Sequence, residues 1–456
     1  MRALFLIDGE HYPPVVLDAM RSIEESLGVK GVAAVFLGGT EKLEEEIDYG
    51  VPLVKAEDPV SAVAKALKEY PDVEVVVDLS DEPVVGYKER MRIASIVLAA
   101  RARYRGSDFD LLPPEYHHVS TKPSLAVIGT GKRVGKTAIS GYLARLLAED
   151  GLQPGVVWMG RGGPPEPEIL EGHNMEVGSA YLLEALEKGA HAASDYYETA
   201  ALSRVVTVGC RRCGGGLSGK PFVSNVLEGA RLANTLDTRI TVFDGSGAAI
   251  PPVEVEGRVL IAGAHGDPEY VTGYLGAYRL LVSDLLLLTM SEEPMADAAR
   301  VRSITEAVRK VKPGLRVIPT VFRPRPIGEV RNLRVAYIST APRAILGVLS
   351  RHLEARYDCE VVAASGSLSD RKRLAQDLEE MRGLGAEAYL TEIKAAAVDV
   401  VTRRGAEEEK PVFYCDNDPT ELSDQDDLEG ELLKLAKKAI AEFENRVGGP
   451  TESAGV

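Results

Sequence analysis

The stretch "GTGKRVGKT" at residues 129–137 contains the residue types that bind phosphate groups. Glycines let backbone N–H groups converge on a phosphate, a lysine reaches the β- and γ-phosphates, and the hydroxyl after it can hold Mg²⁺. The apolar run "SLAVI" precedes this stretch, and Ile139, Leu143, Leu146 and Leu147 follow it at helical spacing. A strand before and a helix after favour a nucleotide-binding loop over a turn in a connector.

The usual spacing would place the opening glycine of this loop at residue 130, which is a threonine. The Gly-Thr opening resembles the loop of dethiobiotin synthetases and their relatives among the P-loop NTPases. We expect Lys136 to act in catalysis and Thr137 to hold Mg²⁺. The predicted nucleotide-binding residues are Gly129, Thr130, Gly131, Lys132, Arg133, Val134, Gly135, Lys136, Thr137 and Ala138.

A second match to those enzymes is the stretch "ITVFDGSGAAIPP" at 240–252. It resembles the acidic-Gly-x-Gly pattern at the end of a later strand in them. Asp244 at a strand end is predicted to hold Mg²⁺ directly or through water. The alternative is a buried aspartate that caps a turn. The dethiobiotin synthetases carry a glutamate at this position. The match therefore indicates that Asp244 lies at the metal site more firmly than it indicates that Asp244 binds the metal directly.

A cluster of cations stands out in this acidic chain, in the glycine-rich segment "VGCRRCGGGLSGKP" at 208–221. Arginine forks on a glycine-rich backbone suit phosphorylated anions. Its C-x-x-C has no partner pair at zinc-like spacing, so a metal or redox role is disfavoured. The predicted substrate-binding residues are Arg161, Arg204, Arg211, Arg212, Lys220, Asp8, Glu10 and His11, of which Arg161, Arg211 and Arg212 are also predicted to act in catalysis.

Two of these predictions have plain structural alternatives. His11, in "DGEHYPP", can be an ordinary loop histidine. Arg204 follows Asp195 and Glu198 in "SDYYETAALSR", which can be a solvated helix face.

Length, charge and hydropathy place these residues in a folded multidomain protein. The chain has 456 residues and a net charge of −16, which argues against nucleic acid or an anionic membrane as the main partner. No apolar stretch approaches the ~20 residues of a membrane span. The sequence favours a cytoplasmic protein in which an anionic ligand would need a local basic pocket.

The strand and helix pattern predicts an α/β fold, with a central P-loop NTPase parallel sheet flanked by smaller Rossmann-like α/β domains. The predicted parts are an N-terminal domain at 1–120, the P-loop core at 121–328, a C-terminal domain at 329–448 and a polar tail at 449–456. "RPRPIGEV" is interpreted as the linker before the third domain. In a parallel sheet, "DGEHYPP", "GGTEK" and "SDEPVVG" would all lie at one carboxyl edge, where such folds bind ligands.

Four stretches together resemble the cyclic 2,3-diphosphoglycerate synthetases over nearly the full length. They are "MRALFLIDGEHYPPVV", "GTGKRVGKTAISGYLARLL", "CRRCGGGLSGKPFVSNVLEGA" and "VFDGSGAAIPPV". The resemblance implies ATP-driven closure of 2,3-bisphosphoglycerate into its cyclic phosphoanhydride, with release of ADP and phosphate. It also implies Mg²⁺, a cytoplasmic location and a homodimer, and leaves a requirement for a monovalent cation open.

Three other functions stay open from the residues alone. The same loop would serve a 2-phosphoglycerate kinase, or another ring-forming or amide-forming ligase. A nucleotide-dependent switch or metal chaperone is the alternative from another class, and it would be expected to carry a metal cluster.

Overall fold

The computed structural model describes residues 1–39, 48–174, 179–187, 194–394 and 397–448. The predicted tail at 449–456 lies outside them. The chain divides into two compact units. The first comprises Met1–Glu115, Asp267–Ser283 and Glu306–Leu315, and the second comprises Tyr116–Gly266, Asp284–Thr305 and Arg316–Val456. The α/β class is confirmed, whereas the boundaries at 120 and 328 stay a prediction.

The elements follow one another along the chain as alternating strands and helices. The strands are β1 (Arg2–Ile7), β2 (Lys30–Phe36), β3 (Leu53–Val54), β4 (Val75–Asp78), β5 (Arg103–Arg105), β6 (Asp110–Leu111), β7 (Ser124–Gly129), β8 (Pro154–Gly160), β9 (Glu168–Glu171), β10 (Val206–Cys213), β11 (Val223–Ser224), β12 (Ile240–Asp244), β13 (Gly257–Gly263), β14 (Leu285–Thr289), β15 (Arg316–Ile327), β16 (Arg334–Ile338), β17 (Glu360–Ser365), β18 (Ala388–Glu392) and β19 (Val412–Glu421). The α-helices are α1 (Pro13–Leu27), α2 (Pro59–Glu69), α3 (Tyr87–Ala99), α4 (Lys136–Glu149), α5 (Ser179–Glu187), α6 (Asp195–Ser203), α7 (Val226–Asn234), α8 (Glu269–Thr272), α9 (Gly276–Leu281), α10 (Ala298–Val311), α11 (Leu346–Tyr357), α12 (Arg371–Met381), α13 (Arg403–Glu407) and α14 (Leu428–Gly448). A 3₁₀ turn at Arg343–Ile345 and a π-helix at Ala397–Thr402 complete the described elements.

The first unit is built on a sheet in the order β3-β2-β1-β4-β5-β6. All its pairs are parallel except β5–β6. Strand β1 reads "RALFLI" and is buried from Ala3 to Ile7, as expected of a central parallel strand covered on both faces. The parallel pairing brings Asp8, Gly38–Gly39 and Leu79–Asp81 to one carboxyl edge. The "TEK" part of "GGTEK" lies outside the described residues.

The second unit contains one long sheet in the order β11-β10-β8-β12-β7-β13-β14-β15-β19-β18-β16-β17, with β9 paired to β10. The pairs β10–β11, β10–β9 and β15–β19 are antiparallel, and the other pairs are parallel. The central strand β7 is buried along its whole length because helices cover both faces. This order places the P-loop strand between β12 and β13, and thus fixes which strand ends surround the loop.

The interpretation of "RPRPIGEV" as a linker is wrong. Its first five residues belong to β15, which pairs with β14 up to Pro319 and then with β19 from Thr320 to Ile327. Pro324 and Pro326 fit because they are two residues apart, so both missing N–H groups lie on one side of the strand. The long strand β15 therefore joins the P-loop sheet and the C-terminal strands into one continuous sheet.

The C-terminal part of this sheet is a small parallel layer with helices on both faces. Helix α11 covers one face through Leu346, Leu349 and Leu353, and α12 covers the other through Leu374 and Leu378. Ligands bind such layers at the carboxyl ends of the strands. The residues that follow β16, β17 and β18 are therefore candidates for a site. No helix among the described residues is long and apolar enough to cross a membrane.

Candidate functional site

The loop between β7 and α4 forms a strand–loop–helix turn held by its neighbours. The backbone N–H of Thr130 donates to the carbonyl of Ile261 at 3.1 Å, and Oγ1 of Thr289 donates to the carbonyl of Val134 at 2.8 Å. Lys136 opens α4, is almost fully buried, and donates from Nζ to the carbonyl of Gly131 at 3.4 Å. The lysine is therefore folded back over its own loop, where phosphates bind in P-loop proteins.

Gly135 makes the turn from this loop into α4 possible. Its φ of 92° lies in the left-handed region, where side chains are strained. A Cβ at this position would also lie 2.2 Å from Cζ of Phe322. The ring of Phe322 thus packs directly against the last loop residue, so both the backbone and the packing require glycine.

Lys136 and Asp244 form the electrostatic centre of the site. Asp244 ends β12, is fully buried, and accepts a short hydrogen bond from Oγ of Ser140 on Oδ2. Burial raises the pKa of Asp244 to about 8, against the opposing effect of Lys136. Burial likewise lowers the pKa of Lys136, and Arg161 and Arg212 add to that shift. Burial is confined to Lys136 and Asp244, since Arg212 is half-buried and Arg161 is exposed.

The residues present fit the Mg²⁺ that a P-loop implies. Oδ1 of Asp244 is buried without a hydrogen-bond partner among the described residues, and Thr137 follows Lys136 and lines a cavity at the P-loop. Within the part of the chain that the structure describes, no three His, Cys, Asp or Glu side chains could hold a metal alone. The donor set therefore matches an ion shared with nucleotide phosphates, since Mg²⁺ uses few protein ligands.

Two arginine side chains flank the loop after β12. A Cβ at Gly247 would lie 2.6 Å from Nη2 of Arg161 and 3.5 Å from Nη2 of Arg212. Arg212 donates from Nη2 to the carbonyl of Ser246 and from Nη1 to the carbonyl of Gly214, both at 2.7 Å. Burial lowers the pKa of Arg212, and Arg161 lowers it further. The positions of both Nη2 atoms beside Gly247 make the two cations close neighbours.

The other predicted substrate residues of the second unit lie elsewhere. Arg211 is exposed, and its backbone N–H donates to Asn225 at 2.7 Å. Arg211 and Arg212 are consecutive in β10, so their side chains leave opposite faces. Lys220 is exposed in the hairpin beyond β10, and Arg204 is exposed at the left-handed end of α6. Of this cluster, the structure brings Arg212 together with Arg161 and Lys136.

The predicted residues Asp8, Glu10 and His11 belong to the first unit. Asp8 is buried at the end of β1, and its Oδ1 accepts from the backbone N–H groups of Glu10 and His11 at 3.1 and 3.3 Å. The His11 ring is 2.7 Å from the same oxygen and 3.4 Å from Asp81. The hydrogen bond with Asp8 raises the pKa of His11. The aspartate therefore organises the loop at this sheet edge.

A cavity of about 1160 Å³ opens at the P-loop and extends to the C-terminal strands. Its size exceeds the range of ≈ 300–1,000 Å³ typical of a site for one small molecule. The cations that line it are Lys132, Arg133, Lys136, Arg161, Arg343, Arg373 and Lys394. The carboxylates Asp195, Glu292, Asp377, Glu380 and Glu392 line it as well, so it has room for two ligands and a small excess of positive charge.

The sequence did not point to Glu392 or Lys394, and it offered Asp195 and Glu198 only with a solvated helix face as the alternative. Asp195 lines the cavity, and Glu198 on the same helix is buried, so the alternative of a solvated face is wrong for Glu198. Its Oε1 lies 3.1 Å from Nζ of Lys394, while Glu392 accepts from Oγ1 of Thr340 at 2.7 Å. No local motif marks these residues, because the sheet order alone brings them to the P-loop.

The sequence comparisons agree along the whole chain. Three family models match: the cyclic 2,3-diphosphoglycerate synthetase N-terminal domain at residues 2–112, its P-loop domain at 124–321 and its C-terminal domain at 326–418. A cyclic 2,3-diphosphoglycerate synthetase from Rubrobacter xylanophilus is 73% identical over 439 residues, 96% of this chain and 98% of the relative. One from Methanothermus fervidus is 44% identical over 455 residues, 97% of this chain and 98% of the relative.

Among solved structures, LpxK from Aquifex aeolicus in complex with ATP aligns with a TM-score of 0.42 and 16% identity, covering 72% of this chain and 90% of that one. That likeness is too weak to support an argument. The P-loop domain match implies ATP binding and, with it, Mg²⁺. Since full-length relatives and three domain models agree, the chain is an enzyme that belongs to the cyclic 2,3-diphosphoglycerate synthetase family.

Proposed function

We propose that this enzyme uses ATP to convert 2,3-bisphosphoglycerate into cyclic 2,3-diphosphoglycerate, with release of ADP and phosphate. The observation that carries the proposal is the meeting of Lys136, Arg161 and Arg212 around the loop after β12, at one end of a cavity large enough for two ligands. A substrate with two phosphates needs such a place, because its own charges repel each other.

The first step is a phosphoryl transfer to the substrate. An oxygen of one substrate phosphate attacks the γ-phosphorus of ATP, the bond from that phosphorus to the β–γ bridging oxygen breaks, and ADP leaves. Lys136 neutralises the charge that develops on the transferred group, and Arg161 orients the attacking phosphate. Phosphate oxygens are already ionised near neutral pH, so no general base is required.

The second step closes the ring. An oxygen of the other substrate phosphate attacks the activated phosphorus, and the bond to the newly added phosphoryl group breaks, which releases inorganic phosphate. Arg212 beside Arg161 holds the two substrate phosphates close together against their repulsion. When bound between Thr137 and Asp244, Mg²⁺ would supply further charge neutralisation on the nucleotide phosphates.

The wider properties of the enzyme are part of the same proposal. We infer a cytoplasmic homodimer that requires Mg²⁺, with Asp8, Glu10 and His11 contributing to the bisphosphoglycerate or product site. The support is the relationship to synthetases at 73% and 44% identity.

Phosphorus NMR of a reaction of ATP, Mg²⁺ and 2,3-bisphosphoglycerate tests the chemistry directly. We expect a cyclic pyrophosphate signal to appear together with ADP and inorganic phosphate in equal amounts. With ATP labelled on the γ-phosphate, the label should leave as inorganic phosphate. Label retained in a stable organic product would instead identify a kinase.

A further inference from the structure

The sheet order divides the nucleotide end of the cavity into a charged side and an apolar side. On the β12 side of β7 lie Asp244 at the end of β12 and Arg161 after β8. On the β13 side lie Met290 after β14 and Phe322 in β15, and both line the cavity. The triphosphate belongs to the charged side, so the rest of the nucleotide must extend toward the apolar side.

The apolar side has the chemistry of a binding slot for a flat ring. Phe322 contacts the P-loop at Gly135, and Met290 and Met295 line the cavity beyond it. Met295 also packs against the C-terminal cluster that includes Ile345 and Leu346, which line the cavity too. Aromatic and thioether side chains make favourable contacts with ring faces and edges.

The distance from the P-loop suits a nucleoside. Strand β14 is two strand spacings from β7 and β15 is three, which corresponds to roughly 10 and 14 Å at 4.7–4.9 Å per step. A ribose and a purine that extend from the α-phosphate cover a span of this order. The base would therefore come to lie beside the residues that follow β14.

One carboxylate is held rigidly in this slot. Glu292 lines the cavity, and its two oxygens accept from Nη1 and Nη2 of Arg323 at 2.5 and 2.7 Å. The two hydrogen bonds from the Arg323 guanidinium fix the orientation of the carboxylate and leave a free lone pair on each of its oxygens. A carboxylate in this state accepts hydrogen bonds and donates none.

We propose that Glu292 selects the base of the nucleotide by accepting a hydrogen bond from an exocyclic amino group at purine C6, with Arg323 as the positioning residue. Adenine carries such a donor, whereas guanine and hypoxanthine carry an acceptor oxygen that the carboxylate repels. A site built for one hydrogen-bond pattern discriminates strongly against the opposite one. The C-terminal layer thereby forms one wall of the purine slot through Ile345 and Leu346.

This inference rests on the proposed use of ATP, and its test is a binding measurement that needs no cyclisation. ADP and IDP differ at the purine by a C6 amino group against a C6 oxygen, and by an N1 that accepts in adenine but carries a hydrogen in hypoxanthine. By calorimetry with Mg²⁺, the wild-type enzyme should bind ADP at least tenfold more tightly than IDP. In Glu292→Gln, whose amide can donate to the C6 oxygen, the ratio of the two affinities should fall about tenfold.

The matched control is Glu293→Gln, because Glu293 is the exposed neighbour of Glu292 and does not line the cavity. It should keep the wild-type ratio. Arg323→Lys loses the paired hydrogen bonds to Glu292 but keeps the positive charge. The ratio of the ADP and IDP affinities should therefore fall to a value between those of the wild type and Glu292→Gln. Met295→Ala should weaken ADP and IDP equally and leave inorganic tripolyphosphate binding unchanged.

Equal binding of ADP and IDP by the wild-type enzyme would overturn the inference, as would the same ratio in Glu292→Gln and Glu293→Gln. Both outcomes are independent of the proposed reaction, which the appearance of cyclic product tests separately. A wild-type enzyme that prefers ADP but makes no cyclic product would refute the reaction and leave the base selection standing.

Discussion

Oε1 of Glu198 and Nζ of Lys394 lie 3.1 Å apart, in an ion pair that joins helix α6 of the P-loop core to the segment after β18. Burial raises the pKa of Glu198 to about 8, although Lys394 opposes that shift. Burial disfavours the charged form of Lys394, but Glu198 and Glu392 outweigh it and raise the pKa of the lysine. The pair therefore links two walls of the cavity at the cost of burying charge.

Lys394→Met should destabilise the fold strongly, since it leaves the Glu198 carboxylate buried without its partner. Breaking a buried pair costs roughly 3–5 kcal/mol, and we expect the lower end because a quarter of the Lys394 side chain is exposed. The pKa of Glu198 should rise further in this variant. A raised folded-state pKa of an acid makes a protein less stable as pH rises toward that pKa, and in the wild type this decrease ends near pH 8. The difference in stability between the variant and the wild type should therefore grow as pH rises above 8. Denaturant unfolding at several pH values measures it.

The double variant Glu198→Gln/Lys394→Met should recover most of the lost stability, because neither charge is then buried alone. Lys438→Met is the surface control. Its ammonium group lies 3.5 Å from Asp284 with half of the side chain exposed, and such pairs contribute only about 0–1 kcal/mol. Equal losses for Lys394→Met and Lys438→Met would show that the buried pair has no special role.

Lys136→Ala should abolish ATP turnover while the protein stays folded. The side chain lies over the P-loop and its pKa is lowered by burial, so its removal relieves a buried charge and takes away the clamp on the β- and γ-phosphates. Turnover of labelled ATP and thermal unfolding should be measured on the same preparation. Near-normal turnover in a folded variant would remove the loop from the active site.

Thr137→Ala should raise the Mg²⁺ concentration needed for half-maximal activity, because the hydroxyl beside Lys136 is the proposed metal ligand. Thr137→Ser keeps the hydroxyl and serves as the matched control, with a Mg²⁺ dependence close to that of the wild type. Titration of activity with Mg²⁺ at saturating ATP distinguishes them. Identical curves for the alanine and serine variants would contradict the role of the hydroxyl.

Asp244 should make metal binding depend on pH. Burial raises the pKa of Asp244 to about 8, so the carboxylate that we propose as a metal ligand becomes more populated as pH rises from 6.5 to 8. We expect Mn²⁺ affinity in the presence of ADP, measured by electron paramagnetic resonance, to increase over this range. Asp244→Asn should lose that dependence and at least an order of magnitude in activity.

The P-loop and the strand end at Asp244 were predictable because each is a local pattern of a few residues. Glu292 and Lys394 were not, since each stands alone in the sequence, 156 and 258 residues after Lys136. Glu292 reaches the cavity because β14 lies two strands from β7 in the sheet. Lys394 reaches it because β15 continues into a second pairing with β19, at a place where its prolines suggested a linker. Long-range sheet order, rather than local propensity, decides which side chains meet there.

The sequence also could not separate Arg211 from Arg212. The apolar part of β10 ends at Gly209, but the strand continues through both arginines to Cys213 because β8 and β11 pair with it. Alternation along that extension sends one guanidinium toward Gly247 and the other away from it. This geometry turns two equivalent residues in the sequence into a matched pair for mutagenesis.

Arg212→Ala should therefore reduce kcat/KM for 2,3-bisphosphoglycerate tenfold or more, since a hydrogen bond to a charged phosphate contributes roughly 1.5–3 kcal/mol. Arg211→Ala should change it much less, because that side chain is exposed and leaves the opposite face of β10 from Arg212. Arg212→Lys keeps the charge but not the fork, so an intermediate loss is expected. KM for ATP should change little in all three variants, because the nucleotide rests on the P-loop.

A loss of ATP affinity in Arg212→Ala with an unchanged bisphosphoglycerate dependence would place this arginine on the nucleotide instead. Equal effects of Arg211→Ala and Arg212→Ala would mean that overall positive charge, rather than the position beside Arg161, is what the substrate requires.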